Sequence, residues 1–235
     1  MGGQLLGWRT VCAVEVAPFP RRVLLARQRD GHLEPFPIWD DIRTFDGHPW
    51  RGHIDIITGG FPCKDISTSR VNAQGIDGEQ SGLWSEMARI IGEVRPNHVL
   101  VENTPALTYR GLGRVLGDLA ECGYDAEWSM FPAAAFGFPH QRQRVWIVAY
   151  PQCIRRNTGR NEIFINFQRL HSQRGTDALR WMVENAGSRD GSISRDLRNG
   201  NGIPGFMDRL RGLGNAIVPQ IAEWIGRQIM KEVQP

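Results

Sequence analysis

A cysteine stands in the stretch Gly59-Gly60-Phe61-Pro62-Cys63-Lys64-Asp65-Ile66-Ser67, directly after the apolar run Ile54-Asp55-Ile56-Ile57-Thr58. The run reads as a short buried strand. Cys63 is therefore expected on a Gly/Pro-rich turn at a strand's carboxyl end, where α/β sheets bind ligands. A thiolate there can add to an electron-poor carbon, provided its pKa is lowered and its substrate is held in place. A lone cysteine is more often an inert core residue, so the reading depends on what else the chain brings to the same end of the sheet.

Three further groups answer that description. His98-Val99-Leu100-Val101 reads as another buried strand and delivers Glu102-Asn103-Thr104-Pro105, an acid and an amide, at its end. Phe136-Gly137-Phe138-Pro139-His140-Gln141-Arg142-Gln143-Arg144 then leads into the strand Val145-Trp146-Ile147-Val148-Ala149. Arg142 and Arg144 are two residues apart, so in an extended segment their side chains leave on one side. Two parallel guanidinium groups suit a phosphate and a ring carbonyl. Earlier in the chain, Val11-Cys12-Ala13-Val14-Glu15-Val16 reads as a strand ending in a carboxylate, and Pro18 opens a helix through Arg27. A strand, a terminal acid and a helix is the layout in which a carboxylate binds a ribose diol, although a surface Glu fits the same pattern. Asp40 and Asp41 precede Ile42 near another strand terminus.

The remaining chain supplies the elements that position these groups. Ser67 to Gln80 is polar and glycine-bearing, as a loop near a site would be. Gly82-Leu83-Trp84 starts a helix with Met87, Ile90 and Ile91 on one face, ending before Pro96. Leu112 to Leu119 is helical, closed by Cys122-Gly123 with glycine at the expected position. Tyr124 to Met130 alternates as a half-buried strand does. From Pro151 to Gly205 the core-forming pattern weakens and Asn, Gly, Ser and Arg dominate, which suggests a separate small lobe or an extended loop. Gln220 to Met230 closes the chain as a helix, with Ile221, Trp224, Ile225 and Ile229 on the face that docks.

The 235 residues, 41% hydrophobic and 23% charged, fit one ordinary domain or a large and a small lobe. No stretch resembles a secretory signal or reaches the ~18 apolar residues of a membrane span, so a soluble, cytoplasmic protein without a membrane partner is expected. Cys12, Cys63, Cys122 and Cys153 have no CxxC spacing, and the six histidines supply no clustered ligands, so free thiols and no metal are expected. Net charge is +3, and of 28 basic residues only Lys64 and Lys231 are lysine. Arginine offers a planar fork for phosphates and base edges; a solvated arginine-rich surface is the plainer alternative.

Taken in order, Phe61-Pro62-Cys63, Glu102-Asn103, Arg142-Gln143-Arg144 and Gly214-Asn215-Ala216-Ile217-Val218-Pro219 resemble the motifs of the DNA cytosine-5 methyltransferases. The resemblance runs from about Gly7 to the C-terminus, apart from the variable lobe. It implies an α/β, Rossmann-like S-adenosylmethionine-dependent methyltransferase sheet flanked by helices, with a small target-recognition lobe. Residues 1–150 would form the catalytic body, 151–205 the recognition lobe, and 206–235 a segment returning to the body. Cys63 matches the nucleophile that adds to cytosine C6, and Glu102 the acid at N3. Arg144 matches the arginine near the base carbonyl, and Arg142 its catalytic-site neighbour. Among cofactor positions, Glu15 matches the ribose-binding carboxylate, Asp41 the acid near the adenine, and Pro62 and Asn215 further binding positions. The implied partner is double-stranded DNA with the target base flipped out, and the implied enzyme acts as a monomer, in some members beside a cognate restriction endonuclease.

The chain also departs from the family pattern. The Asp-Leu-Phe-x-Gly-x-Gly stretch that cradles the methionine part of the cofactor has no counterpart, and Gly7-Trp8 aligns with the end of the first helix. The first strand and most of the first helix are therefore expected to be missing, leaving neighbouring strands with unpaired edges. Two functional expectations follow: a working methyltransferase, or an N-terminally truncated remnant that binds DNA but methylates poorly. Lys64 and His140 each replace a frequent glutamine. A cysteine hydrolase using Cys63 and His140 is the alternative from another class, and it leaves Glu102-Asn103 and the closing motif without a role.

Overall fold

A computed structural model describes residues 2–62, 83–138, 142–153 and 217–233. Cys63, the polar stretch after Ser67, His140, most of the recognition lobe and Asn215 lie outside the described residues. The described residues form two compact units, 2–40 with 217–233, and 41–153.

In the first unit, β1 (Ala13–Val14) pairs in parallel with β2 (Ile38–Trp39). Between them runs α2 (Pro18–Arg29), opened by proline in its first turn and ended at Asp30 before the left-handed Gly31. A short α1 (Gly2–Leu5) closes before Gly7, whose φ of 72° only glycine adopts without strain. It packs on the closing helix α6 (Pro219–Val233). That contact is close: a Cβ on Gly226 would fall 2.2 Å from a methyl of Leu6.

The second unit is built on a four-stranded sheet ordered β3 (Ile56–Gly59), β4 (His98–Asn103), β6 (Gln143–Pro151), β5 (Tyr124–Pro132). β3 and β4 run parallel, and β6 is antiparallel to both β4 and β5. Six successive residues of β6, Val145 to Tyr150, are buried. Burial on both faces explains why that run is continuously apolar instead of alternating.

Helix α3 (Leu83–Val94) buries Trp84, Met87, Ala88, Ile90, Ile91 and Val94. Helix α5 (Leu112–Glu121) buries Leu112, Val115 and Leu119, after the short α4 (Leu107–Arg110). Of these, Trp84, Met87, Ala88, Ile91, Leu112, Val115 and Leu119 recur at helical spacing and form one core with Val99, Val101, Val145, Ile147 and Ala149. Gly123, with φ of 79°, turns the chain from α5 into β5.

The segment after Asp41 folds as two single 3-10 turns, Ile42–Thr44 and His48–Trp50. Arg89 of α3 fastens it. Its guanidinium donates to the carbonyls of Ile42 (2.9 Å) and Phe45 (3.1 Å) and pairs with Glu86 and Glu93. Burial raises the Glu93 carboxyl, but Arg89 and the Gly47 amide together hold it below the usual range. Replacing Arg89 by leucine is expected to cost about 1–2 kcal/mol in urea unfolding, a modest figure because the side chain is one-third exposed.

Candidate functional site

The carboxyl ends of β3 and β4 lie side by side, Gly59 being paired with Val101. The chain passes from β3 into Gly60-Phe61-Pro62 with little spare room. A Cβ on Gly59 would meet the Met87 methyl at 2.8 Å, and one on Gly60 would meet the Glu102 carbonyl oxygen at 3.1 Å and Oε2 at 3.3 Å. Phe61 is buried against Trp84, their ring centroids 5.4 Å apart. The two glycines therefore let the turn lie flat on the acid of the neighbouring strand.

Asn103 joins the two strand ends. Its side chain is buried; Nδ2 donates to the Phe61 carbonyl (3.3 Å) and Oδ1 accepts from the Thr104 amide (2.8 Å). The residue fixes the turn directly before Cys63. Asn103→Ala is expected to cost about 2 kcal/mol by chemical denaturation, since one buried and one partly buried backbone group lose their partners.

Glu102 and Arg144 meet across β4 and β6. Both are internal to their strands, one residue further in than the sequence pattern places Glu102, and both are mostly buried, at 17% and 19% exposure. Arg144 Nε lies 2.8 Å from Glu102 Oε1. That oxygen nevertheless receives no well-aligned hydrogen bond, so the pair is held more by charge than by a directed N–H. Burial pushes the Glu102 carboxyl above the usual carboxylate range, against the opposing charges of Arg144 and Arg142. Arg142 sits just before β6, its carbonyl accepting from the Ala133 amide at 2.9 Å. Its own pKa is lowered by burial and by the charge of Arg144. A carboxyl that favours its proton, flanked by two cations, can protonate or hydrogen-bond an electron-rich ring nitrogen.

In the other unit, Glu15 Oε1 accepts from the Ala17 amide at 2.7 Å, at the mouth of α2. No donor among the described residues is bonded to its second oxygen, so the carboxylate fits a diol. Asp41 caps the Ile42–Thr44 turn and is gripped by Arg43 at 2.7 Å, which holds its carboxyl below the usual range. Cys12 and Cys122 are partly buried thiols, and burial raises both, which makes them poor nucleophiles.

Asp46, His48 and Glu93 bring ligating atoms within 4.8 Å, a grouping the sequence spacing did not suggest. Asp46 and His48 are exposed, and Glu93 is already engaged by Arg89 and Gly47. Among the described residues no helix is long and apolar enough to cross a membrane.

The chain matches the family model for C-5 cytosine-specific DNA methylases over residues 20–199. Glu15 and Asn215 lie outside that span. The type II methyltransferase M1.ScrFI of Lactococcus lactis subsp. cremoris is 33% identical over 160 residues, covering 64% of this chain and 39% of that protein. The type II methyltransferase M.NgoMIV of Neisseria gonorrhoeae is 26% identical over an alignment of 306 positions, gaps included, covering 99% of this chain and 95% of that protein. Among solved structures, a DNA modification methyltransferase encoded within an E. coli prophage superposes with a TM-score of 0.53 at 20% identity, over 69% of this chain and 46% of that one. The S. pombe Dnmt2 methyltransferase gives 0.52 at 17% identity, over 70% and 49%. The chain thus spans well under half the length of the Lactococcus relative, and the solved structures establish the α/β, Rossmann-like methyltransferase fold.

Proposed function

Because the chain belongs to the C-5 cytosine-specific DNA methylases, we propose that it methylates carbon 5 of cytosine in double-stranded DNA, with Cys63 as the nucleophile. The observation that carries this reading is the raised carboxyl of Glu102, paired with Arg144 at 2.8 Å and overlain by the turn that leads to Cys63.

Cytosine C5 is a poor nucleophile until C6 is attacked. Cys63 as thiolate forms the S–C6 bond, and the ring π electrons move toward N3. Glu102 delivers its proton there, so no full negative charge has to be buried. Arg144 donates to the ring carbonyl oxygen while neutralising Glu102, and Arg142 adds a second positive charge. The product is an enamine with electron density at C5. S-adenosylmethionine, when bound, supplies the electrophilic methyl group that C5 takes. Solvent takes the C5 proton as the C5–C6 double bond re-forms and the Cys63 thiolate leaves, and N3 returns its proton to Glu102.

Glu15 would hold the ribose of the cofactor and Asp41 the adenine amine, with Pro62 and Asn215 as further binding positions. Residues 1–150 serve as the catalytic body, 151–205 as the recognition lobe that reads base edges through arginine, and 206–235 as the return to the body. The target base is flipped out of the duplex. The enzyme acts as a cytoplasmic monomer, with a cognate restriction endonuclease as its candidate companion.

A second reading, a DNA-binding remnant that transfers methyl groups poorly, is favoured by one observation. Among the described residues β3 pairs only with β4, although its run Ile54 to Ile57 has the composition of an inner strand. Incubation with labelled S-adenosylmethionine and duplex DNA, followed by nucleoside analysis, separates the two. Labelled 5-methylcytosine supports the enzyme. Retained DNA without label supports the remnant.

A further inference from the structure

Glu102 on β4 and Trp146 on β6 are direct partners in antiparallel register. Their side chains therefore leave the same face of the sheet, with Cβ atoms about 4.5–5.5 Å apart. Arg144, two residues before Trp146, shares that face. Trp146 is 1% exposed, yet its indole Nε1 has no hydrogen-bond partner among the described residues. The Thr104 hydroxyl, at the end of the same strand as Glu102, is buried and likewise without a hydrogen bond, and Glu102 Oε1, although ion-paired with Arg144 Nε at 2.8 Å, receives no well-aligned one.

A buried polar group without a partner costs about 1–3 kcal/mol, and folded interiors keep few of them. Here two such atoms, Trp146 Nε1 on β6 and Thr104 Oγ1 at the end of β4, accompany a carboxyl oxygen whose ion pair leaves its hydrogen-bonding directions open. Their chemistry is complementary. An indole N–H only donates, an ionised carboxyl oxygen only accepts, and a hydroxyl does both. A single water typically makes about three hydrogen bonds inside a protein. It can accept from Trp146, donate to Glu102 Oε1, and exchange either role with Thr104.

We propose that Trp146 is a positioning residue for Glu102, acting through one ordered water shared by the indole N–H, the Thr104 hydroxyl and Glu102 Oε1. The proposal rests on the reading of Glu102 as the acid at cytosine N3. A water polarised by the indole donates to the carboxylate and favours its ionised form. It also restrains the carboxyl in the plane from which it serves the ring. Burial and the two arginines then set the gross protonation of Glu102, while the water link adjusts the pH at which its proton is given up. The charged groups facing Glu102 among the described residues are Arg144 and Arg142, and neither is altered by a change at Trp146.

The test uses the full chain labelled with nitrogen-15 on its tryptophan side chains. The Trp146 indole resonance, identified among eight tryptophans by its loss in Trp146→Phe, is expected to titrate with the midpoint of Glu102. It should stop titrating in Glu102→Gln. In parallel, Trp146→Phe should move the alkaline limb of the kcat profile upward by about one pH unit, the scale of one lost hydrogen bond to a charged group, with KM for DNA unchanged. Thr104→Val should move the limb in the same direction and Thr104→Ser should restore it, so the proposal stays testable if Trp146→Phe does not fold. An indole resonance indifferent to pH, or an unmoved limb in both variants, overturns the link. An indole that titrates with Glu102 in a chain that methylates no DNA supports the link and removes the methyltransferase reading instead.

Discussion

Cys63→Ser is expected to lower methyl transfer to duplex DNA by about 10⁴-fold or more, the scale of losing a covalent nucleophile. A serine hydroxyl is almost wholly protonated near neutral pH and cannot replace the thiolate. DNA binding should survive, because no phosphate or groove contact is removed. The other described cysteines offer no substitute: burial raises the Cys12 and Cys122 thiols, which point at the Ala13 and Ala88 carbonyls, and Cys153 lies exposed beyond the C-terminal end of β6, away from Arg144 at its start. Residual transfer within about tenfold of the unsubstituted chain would move the nucleophile elsewhere.

Glu102→Gln is expected to lower kcat by about 10²- to 10⁴-fold, the usual contribution of a positioned general acid, with a smaller change in KM. Glutamine keeps the shape and can still hydrogen-bond N3, but it has no proton to transfer. The pH dependence follows from the raised carboxyl. The folded pKa lies above the unfolded value, so the proton is available at acidic pH and is lost as pH rises through the folded pKa. The kcat of the unsubstituted chain should therefore fall on the alkaline side, above the ordinary carboxylate range, and that limb should vanish in Glu102→Gln. Folding stability carries the same sign. The Glu102 contribution is fully present below the unfolded pKa and is lost as the buried group ionises. A pH-rate profile on both proteins checks the prediction; an identical alkaline limb in each would remove Glu102 from the proton transfer.

Much of this site was legible in the residues because strand ends announce themselves. The apolar runs before Glu102 and after Arg144 are real strands, and the expected helices over 82–95, 112–119 and 220–230 are present, the first one residue shorter at each end and the other two slightly longer. Gly123 sits at the left-handed position after α5 that its place behind Cys122 implied. What periodicity could not supply was pairing. That Glu102 lies opposite Trp146, and that β6 runs antiparallel to β4, depends on long-range register, which no local pattern encodes.

Other features were hidden for different reasons. Arg89 reads as a surface arginine on an amphipathic helix, yet its targets are carbonyls more than forty residues away in the chain. Asn103 was visible as part of a motif, but its bond to Phe61 appears only when β3 and β4 are side by side. The six-residue strand read at Val11 to Val16 shortens to two paired residues, because β1 is paired only with the equally short β2 among the described residues. Trp146 reads from sequence only as part of the strand Val145 to Ala149; it is buried there, and what distinguishes it is an indole nitrogen with no partner among the described residues.

The central claim is that Cys63 adds to cytosine C6, and a duplex carrying 5-fluorocytosine tests it most directly. Fluorine at C5 cannot leave as the proton does, so an adduct that reaches methyl transfer is trapped. With S-adenosylmethionine present, mass spectrometry should find a covalent protein–DNA complex with one added methyl group, its peptide map placing the bond on Cys63. A complex that never forms, or one attached to Cys12, Cys122 or Cys153, would contradict the account.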